Sequence, residues 1–451
     1  GTKGSTQSPS NCRTGRGRLT PSLAAPSELG YWQPMAPETM TDEILAVSPS
    51  GRAPSARFLA KREAIILSAV TEINRHGVRG MTLGDVAACL NLVPSGLIYY
   101  FKNKEDLAVA AFLRAIARFD QLIADSEHEQ NSATRLRAFI RNYFDYRFQV
   151  AKGLAEPIAN FNDVKALNRP EVNDAYIRMF RRARRLIPVS STASRGDRNG
   201  RTVLLLATLT FSTAWLSYWR PADYGRIADR IADVLINGIV ADGAHFPPAR
   251  ELVVPDGGYA HEDGSPEQFL RAATKLINEE GYHGASADRI SAHLNVTKGA
   301  FYHYNSNKDE LVVAGFHRTF AILWRAIDAA EATDVGGDGK LQVFVTLLST
   351  LIRLQQSSAP LLQTTALSTV PENIRIELLA RLRGITIRYA SMLCDGIGDG
   401  SIRAIDTTVT AQIITAAINS ASELAWWHPD EGSEARAKSY VEALFRGLLN
   451  A

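Results

Sequence analysis

The sequence predicts an all-α protein built from two copies of one helical unit. Apolar residues recur at helical spacing through most of the chain. Each half also holds a pair of short helices joined by a tight turn, and a long segment of the first half returns in the second. INRHGVRGMTLGDVAACLNLVPSGLIYYFKNKEDL starts at Ile73, and INEEGYHGASADRISAHLNVTKGAFYHYNSNKDEL starts at Ile277. The two align without a gap at a constant offset of 204, pairing Gly77 with Gly281, Leu90 with Leu294, Asn91 with Asn295 and Lys104 with Lys308. Likeness returns at the end of each half, where Trp219 and Pro221 match Trp427 and Pro429, and Gly238 matches Gly447. A period this long means duplication of a whole subunit rather than a solenoid.

Composition narrows the class. The chain has 451 residues, 45% hydrophobic and 22% charged, with a net charge of +3. That is ordinary globular material, enough for more than one core, and any basic surface must be local. Cys12, Cys89 and Cys394 are scattered, with no CxxC pair, which argues against a disulfide framework or zinc site. No apolar run approaches the ~20 residues of a membrane span, and no signal-peptide core is visible, so a cytoplasmic protein with no membrane partner is expected. Residues 1–56 are rich in Gly, Ser, Thr and Pro and read as a disordered N-terminal extension, or as sequence ahead of a natural start at Met35 or Met40. Residues 243–265, with three prolines and several glycines, read as a linker.

Within the unit, Ile66, Ala69, Val70 and Ile73 form one apolar helix face, matched by Leu270, Ala273 and Ile277. Gly77 and Gly281 follow, where helices commonly end in left-handed geometry. Thr82 is placed to cap a second helix, with Asp85 as a capping-box partner; Ser286 is the equivalent cap, but Arg289 breaks the box. A turn at Asn91-Leu92 or Asn295-Val296 leads to a third helix. That helix opens at Pro94, which suits a first helical position, or after Thr297, a natural cap that Val93 cannot match. Two short helices with a tight turn form a helix-turn-helix, whose second helix can enter the major groove of DNA.

TKGAFYHY followed by NKDEL resembles the recognition helix and exit of the TetR family, and VPSGLIYYF with NKEDL resembles it more loosely. The resemblance implies a three-helix DNA-binding domain followed by a helical effector and dimerisation domain, twice over. The expected divisions are 57–120 and 266–325 for DNA binding, and 121–242 and 326–451 for the helical domains. It implies that Lys298 and Gly299 meet bases and backbone, that Tyr100 and Tyr304 meet phosphate, and that Lys104 and Lys308 anchor phosphates. The full candidate DNA-contacting set is Thr82, Pro94, Ser95, Tyr99, Tyr100 and Lys104, with Ser286, Thr297, Lys298, Gly299, His303, Tyr304 and Lys308. Ammonium groups and helix N-termini neutralise phosphate, and tyrosine hydroxyls fix register. The units differ. Ser95 stands where the family has Gly, Ile98 where it has Tyr, and Asn305 where it has Phe. Residues 57–119 carry nine cations against five carboxylates, and residues 265–325 seven against six.

The second part of each unit is read as helical with weak local signals. Gly400-Ser401-Ile402-Arg403 with Asp406 resembles the family's loop into its penultimate helix, expected over Val203–Trp219 and Val409–Trp427. The aromatics Tyr143, Phe144, Phe161, Phe180, Phe211 and Trp215 could line a pocket in the first unit, and Trp324, Phe344 and Tyr389 one in the second; core is the preferred reading, so no effector residue is assigned. The arginines between Arg178 and Arg185 are read as a solvated face. No metal spacing, phosphate loop or nucleophile–base pair stands out, so no cofactor, metal or catalytic residue is expected, and the chain is not read as an enzyme. The expected function is sequence-specific regulation of transcription, in the sense of a repressor. Double-stranded DNA and an unidentified small-molecule effector are the partners, and the chain works as an intramolecular pseudo-dimer or as a homodimer. The alternative is a helical protein-interaction module in which one or both helix-turn-helix units no longer bind DNA.

Overall fold

The computed structural model describes residues 55–161, 164–188, 194–254, 266–304, 307–333, 339–357 and 360–450. Nearly all of the expected N-terminal extension and residues 255–265 of the expected linker lie outside the described residues. The first unit comprises α1 (Ala56–Gly80), α2 (Leu83–Cys89), α3 (Pro94–Ile98), α4 (Lys104–Ser126), α5 (Ser132–Ala151), α6 (Val164–Leu167), α7 (Pro170–Arg185), α8 (Arg195–Phe211) and α9 (Tyr224–Asn237). The second comprises α10 (Pro266–Glu280), α11 (Ala287–His293), α12 (Lys298–Tyr304), α13 (Lys308–Glu331), α14 (Gly339–Gln355), α15 (Glu372–Gly398), α16 (Thr407–Ser420), α17 (Leu424–Trp427) and α18 (Ser433–Arg446). The fold is all-α; among the described residues, β pairing is limited to one antiparallel bridge, Val240 with Ile402. No described helix is long and apolar enough to cross a membrane.

The repeat is visible in side-chain chemistry as well as in sequence. Asn74 on α1 donates to the Ile158 carbonyl at 3.0 Å and accepts from the Asn160 N–H at 2.8 Å. At the offset of 204, Asn278 on α10 donates to the Leu361 carbonyl and accepts from the Gln363 N–H, both at 2.9 Å. A carboxamide holds a loop this way because it offers a donor and an acceptor together. Glu63 and Arg114 pair at 2.7 Å, as do Glu267 and Arg318, and each arginine also reaches a proline carbonyl, Pro157 or Pro360. These contacts tie the first helix of each unit to the helical domain behind it.

The two units pack through α8 and α9 of the first against α16 and α18 of the second. The faces that meet are apolar: Val203–Leu206 and Leu209 on α8, and Val409, Ile413, Ile414 and Ala417 on α16, are all buried. Small residues on α16 let the axes approach closely. Reciprocal arginines close the bundle. Arg201 caps the carbonyls of Gly447, Leu448 and Asn450 in the second unit, and Arg403 caps Gly238 in the first while pairing with Asp233 at 2.9 Å. Between them the chain ends cross, with Ile239 N–H on the Phe445 carbonyl and Leu448 N–H on the Leu235 carbonyl, both at 2.7 Å. The described half of the expected linker lies along α14, where Pro248 accepts from Gln342 and Arg250 N–H donates to Thr346.

Two expectations are corrected. The penultimate helices do not run to Trp219 and Trp427; α16 stops at Ser420, and a 3-10 turn over Ala421–Glu423 separates it from α17. α8 ends at Phe211 and gives way to 3-10 turns over Ser212–Ala214 and Leu216–Tyr218. The hydroxyls of Thr208, Thr210, Ser212 and Thr213 bond back to carbonyls three or four residues earlier, which favours the tighter turn. Ser420 does the same where α16 ends. The arginine face of α7 is not simply solvated, since Arg182 holds Asp120 at 2.8 Å and Glu127 at 2.7 Å, and Arg184 holds Asn199.

Gly238 (φ 74, ψ −165) and Gly447 (φ 94, ψ 155) occupy a backbone region essentially reserved for glycine. A Cβ on Gly238 would lie 2.2 Å from the Phe445 carbonyl oxygen, and one on Gly447 2.3 Å from that of Ile236. Gly238→Ala and Gly447→Ala should each cost at least about 1–3 kcal/mol from backbone strain, read as a lower melting temperature. Gly225→Ala, with open space around it, should be neutral or stabilising.

His428 is buried at this interface, where a Cβ on Gly196 would approach its ring to 2.7 Å. Burial lowers its pKa, with Glu431 and Asp197 pulling the other way and Arg436 adding to the depression. The unfolded chain therefore takes up the proton first, so stability falls as pH drops through about 6.5. His283 and His317, also lowered by burial, act in the same sense. His428→Leu should shrink the loss of melting temperature between about pH 7.5 and 5.5; an unchanged loss would assign the pH dependence elsewhere.

Candidate nucleic-acid interface

In the first unit, α1 is capped by Ser55, and its regular geometry breaks at Gly77 with a φ of 71°. Thr82 caps α2 by accepting from the Asp85 N–H at 3.1 Å. The expected reciprocal box is altered, because Asp85 accepts from the Thr82 hydroxyl at 2.6 Å instead of from its backbone. Asn91 takes a left-handed φ of 53°, and Leu92 N–H returns to the Ala87 carbonyl to close the turn. Asn tolerates this geometry better than most residues. Pro94 then occupies the first turn of α3, and Val93 provides no cap, as the sequence implied. Leu97 is fully buried, which turns Pro94, Ser95, Ile98 and Tyr99 to the surface. Tyr100 is half-buried, with its ring stacked on Phe58 at 4.9 Å. Of the two tyrosines, Tyr99 is the exposed one, at 57%.

The second unit repeats the geometry. Ser286 caps α11 from the Arg289 N–H, Asn295 has a φ of 55°, and Thr297 accepts from the Ala300 N–H at 3.3 Å. Phe301 is fully buried, which leaves Lys298, Gly299, Tyr302 and His303 exposed. Tyr304 is the last residue of α12. A Cβ on Gly299 would meet nothing closer than Thr297 Oγ1 at 3.7 Å, so packing does not require glycine there and the surface is open to close approach.

The candidate lysines are engaged within the protein. Lys298 pairs with Asp288 on α11 at 2.9 Å, and this carboxylate raises its pKa. Lys104 Nζ donates to the Arg79 carbonyl at 3.2 Å. Lys308 is half-buried; it donates to the Tyr282 carbonyl at 3.0 Å, lies 3.7 Å over that ring, and has its pKa lowered by burial. Both exit lysines thus cap carbonyls where the preceding helix or turn ends, as cations commonly do.

Sequence reasoning missed the contact between the two heads. Arg79 reaches Glu280 at 3.1 Å, and Glu280 also pairs with Arg289. The His283 ring covers Gly80, and Arg79 covers Gly284, so equivalent glycines mark both sides of the contact. The Gly80 and Gly284 match in the repeat was its only signal. Among the described residues no group of three or more His, Cys, Asp or Glu could hold a metal ion.

A model of the family described as bacterial regulatory proteins, tetR family, matches the chain twice, at residues 65–111 and 269–314. The chain is 24% identical over 148 residues to the transposon Tn10 TetC protein of Escherichia coli, covering 33% of this chain and 73% of that one. It is 23% identical over 186 residues to the fatty acid metabolism regulator protein of Bacillus subtilis (strain 168), covering 41% and 95%. Among solved structures, apo AibR matches with 21% identity and a TM-score of 0.34, covering 40% of this chain and 99% of that one. The TetR family regulator PfmR from Thermus thermophilus matches with 20% identity, the same TM-score and the same shares. The chain thus carries two segments that match the DNA-binding domain of the tetR family, one at each helix-turn-helix.

Proposed function

We propose that this chain is a single-chain pseudo-dimer that represses transcription, reading two unlike half-sites with α3 and α12 under the control of a small-molecule effector. The observation that carries this reading is the packing of α8 and α9 on α16 and α18, which pairs two regulator units inside one polypeptide. The division of labour follows the sequence, with 57–120 and 266–325 contacting DNA and 121–242 and 326–451 forming the helical domains. Two recognition helices about 34–36 Å apart meet successive major grooves on one face of DNA. VPSGLIYY and TKGAFYHY present different side chains, so the preferred operator is non-palindromic. Ser95, Tyr99, Lys298, Gly299 and His303 are the residues best exposed for such contact. Lys104 and Lys308 act from carbonyl-capping positions, and the hydroxyls of Thr82, Ser286 and Thr297 serve the caps that hold the helix N-termini toward a phosphate.

Light scattering of the DNA complex should give one chain, 49.3 kDa of protein, per operator. Footprinting should protect two arms of different sequence; a symmetric inverted repeat protected equally by both arms overturns the reading, and two chains per operator favours a homodimer with four modules. Lys298→Ala should weaken binding and reduce the salt slope by about 1, the loss of one phosphate contact. Asp288→Asn, which frees Lys298 and removes a negative charge from the same face, should move affinity the other way. If neither change alters affinity or slope in a gel-shift titration, the second unit does not grip DNA through α12.

A further inference from the structure

We infer that the chain holds one effector site, not two, in a cavity shared by both units, and that its occupant is an uncharged, mainly apolar ring-bearing molecule with an acceptor for the Tyr176 hydroxyl. The inference rests on the reading of an effector-controlled regulator and gives that control a place and a direction. The cavity encloses about 580 Å³, within the usual range for drug-sized ligands. Its apolar wall comes from the first unit, where Phe119, Phe161, Phe180 and Phe211 converge from α4, α7, α8 and the loop before α6. The far wall comes from the second unit.

Among the described residues, the matching place in the second unit is packed. The void beside Thr319, Leu323 and Tyr389 measures about 20 Å³, scarcely room for a water. Leu323 is the repeat partner of Phe119, so one position of the duplicated scaffold faces a large cavity and its counterpart faces a packed interior.

The polar groups set the ligand's chemistry. Tyr176 lines the cavity, its ring meets Phe161 edge-on at 5.6 Å, and its hydroxyl makes no hydrogen bond to a described residue. Burial and the charge of Glu423 keep that phenol protonated, and so a donor. Lys275 and Glu279 lie one helical turn apart on α10, and the second unit adds Gln355, Gln363, Asn419 and Glu423 to the lining. The apolar wall of the first unit and these polar groups of the second are then the means of selection.

The cavity also has a direction of action. Lys275, Ile277, Asn278 and Glu279 of α10 line it, whereas α1 contributes no lining residue among those described. Asn278 is the residue that ties α10 to the loop at Leu361 and Gln363. An occupant therefore lies against α10 itself, and meets the first head at one remove, through Phe161 beside the loop that Asn74 holds and through the Arg79–Glu280 contact.

Nile red, an uncharged ring system with a carbonyl acceptor, serves as the probe with the full chain. Fluorescence titration should give one equivalent per chain. Ala207→Trp, placed on the cavity face of α8, should abolish binding, and Tyr176→Phe should weaken it about three- to tenfold, the loss of one hydrogen bond. Hydrogen exchange with saturating probe should slow more in α10–α12 than in α1–α3. Two equivalents per chain, wild-type binding by both variants, or equal slowing in both heads each overturns the inference. None of these measurements uses DNA, so loss of DNA binding would sink the regulator reading while leaving this site to stand or fall separately.

Discussion

Where α9 and α18 end, the two backbones cross so closely that only hydrogen fits at the α-carbons of Gly238 and Gly447. The crossing places Ile239 N–H on the Phe445 carbonyl and Leu448 N–H on the Leu235 carbonyl, so each unit satisfies groups that the other's helix end would leave unpaired. Arg201 and Arg403 take the neighbouring carbonyls in the same reciprocal manner. Once this point is fixed, α8 and α9 must lie against α16 and α18, and the heads are brought to the contact at Gly80 and Gly284. In a chain whose units are covalently joined, no partner concentration enters this equilibrium, so pairing is part of folding rather than of assembly.

What the sequence made legible was what lies within one unit. The caps at Thr82, Ser286 and Thr297, the left-handed glycines and the asparagine turns follow from local rules and from the repeat. The offset of 204 also holds for Asn74 and Asn278 and for the Glu63–Arg114 and Glu267–Arg318 pairs, although nothing local marked those residues as partners. What stayed hidden lies between units. Arg79 with Glu280, Phe180 stacked on Trp427 with centroids 3.4 Å apart, and Asn199 on the Trp427 carbonyl join residues about 200 positions apart that share no pattern. Reading the aromatics one unit at a time as core was sound for Tyr143 and Phe144, which are buried. Phe180 and Phe211 are buried as well, and with Phe161 they also line a cavity whose far wall belongs to the other unit.

The helix ends show how local chemistry overrides a repeat. Both units terminate the penultimate helix with a hydroxyl bonded back to the preceding turn, Ser212 in one and Ser420 in the other. Ser420 also meets the buried Tyr440 hydroxyl at 2.7 Å, whereas the first unit spends three threonines on the same stretch and passes through two 3-10 turns. One ancestral element thus has two exits of different shape.

Duplication within a chain removes the constraint that a homodimer imposes. In a homodimer every substitution appears on both sides of the axis, so a residue that improves one half-site contact or one pocket must be tolerated in its symmetric copy. Here the copies vary separately. Val93 leaves α3 uncapped while Thr297 caps α12, and Lys298 carries its own counter-ion while Pro94, its repeat partner, has no charge to balance. Phe119 faces a large cavity and its repeat partner Leu323 a small void. The residues at the crossing enjoy no such freedom, since a side chain on either glycine strikes the other unit's backbone. Asymmetry is therefore free to enter away from the crossing, and symmetry is kept where the two backbones cross.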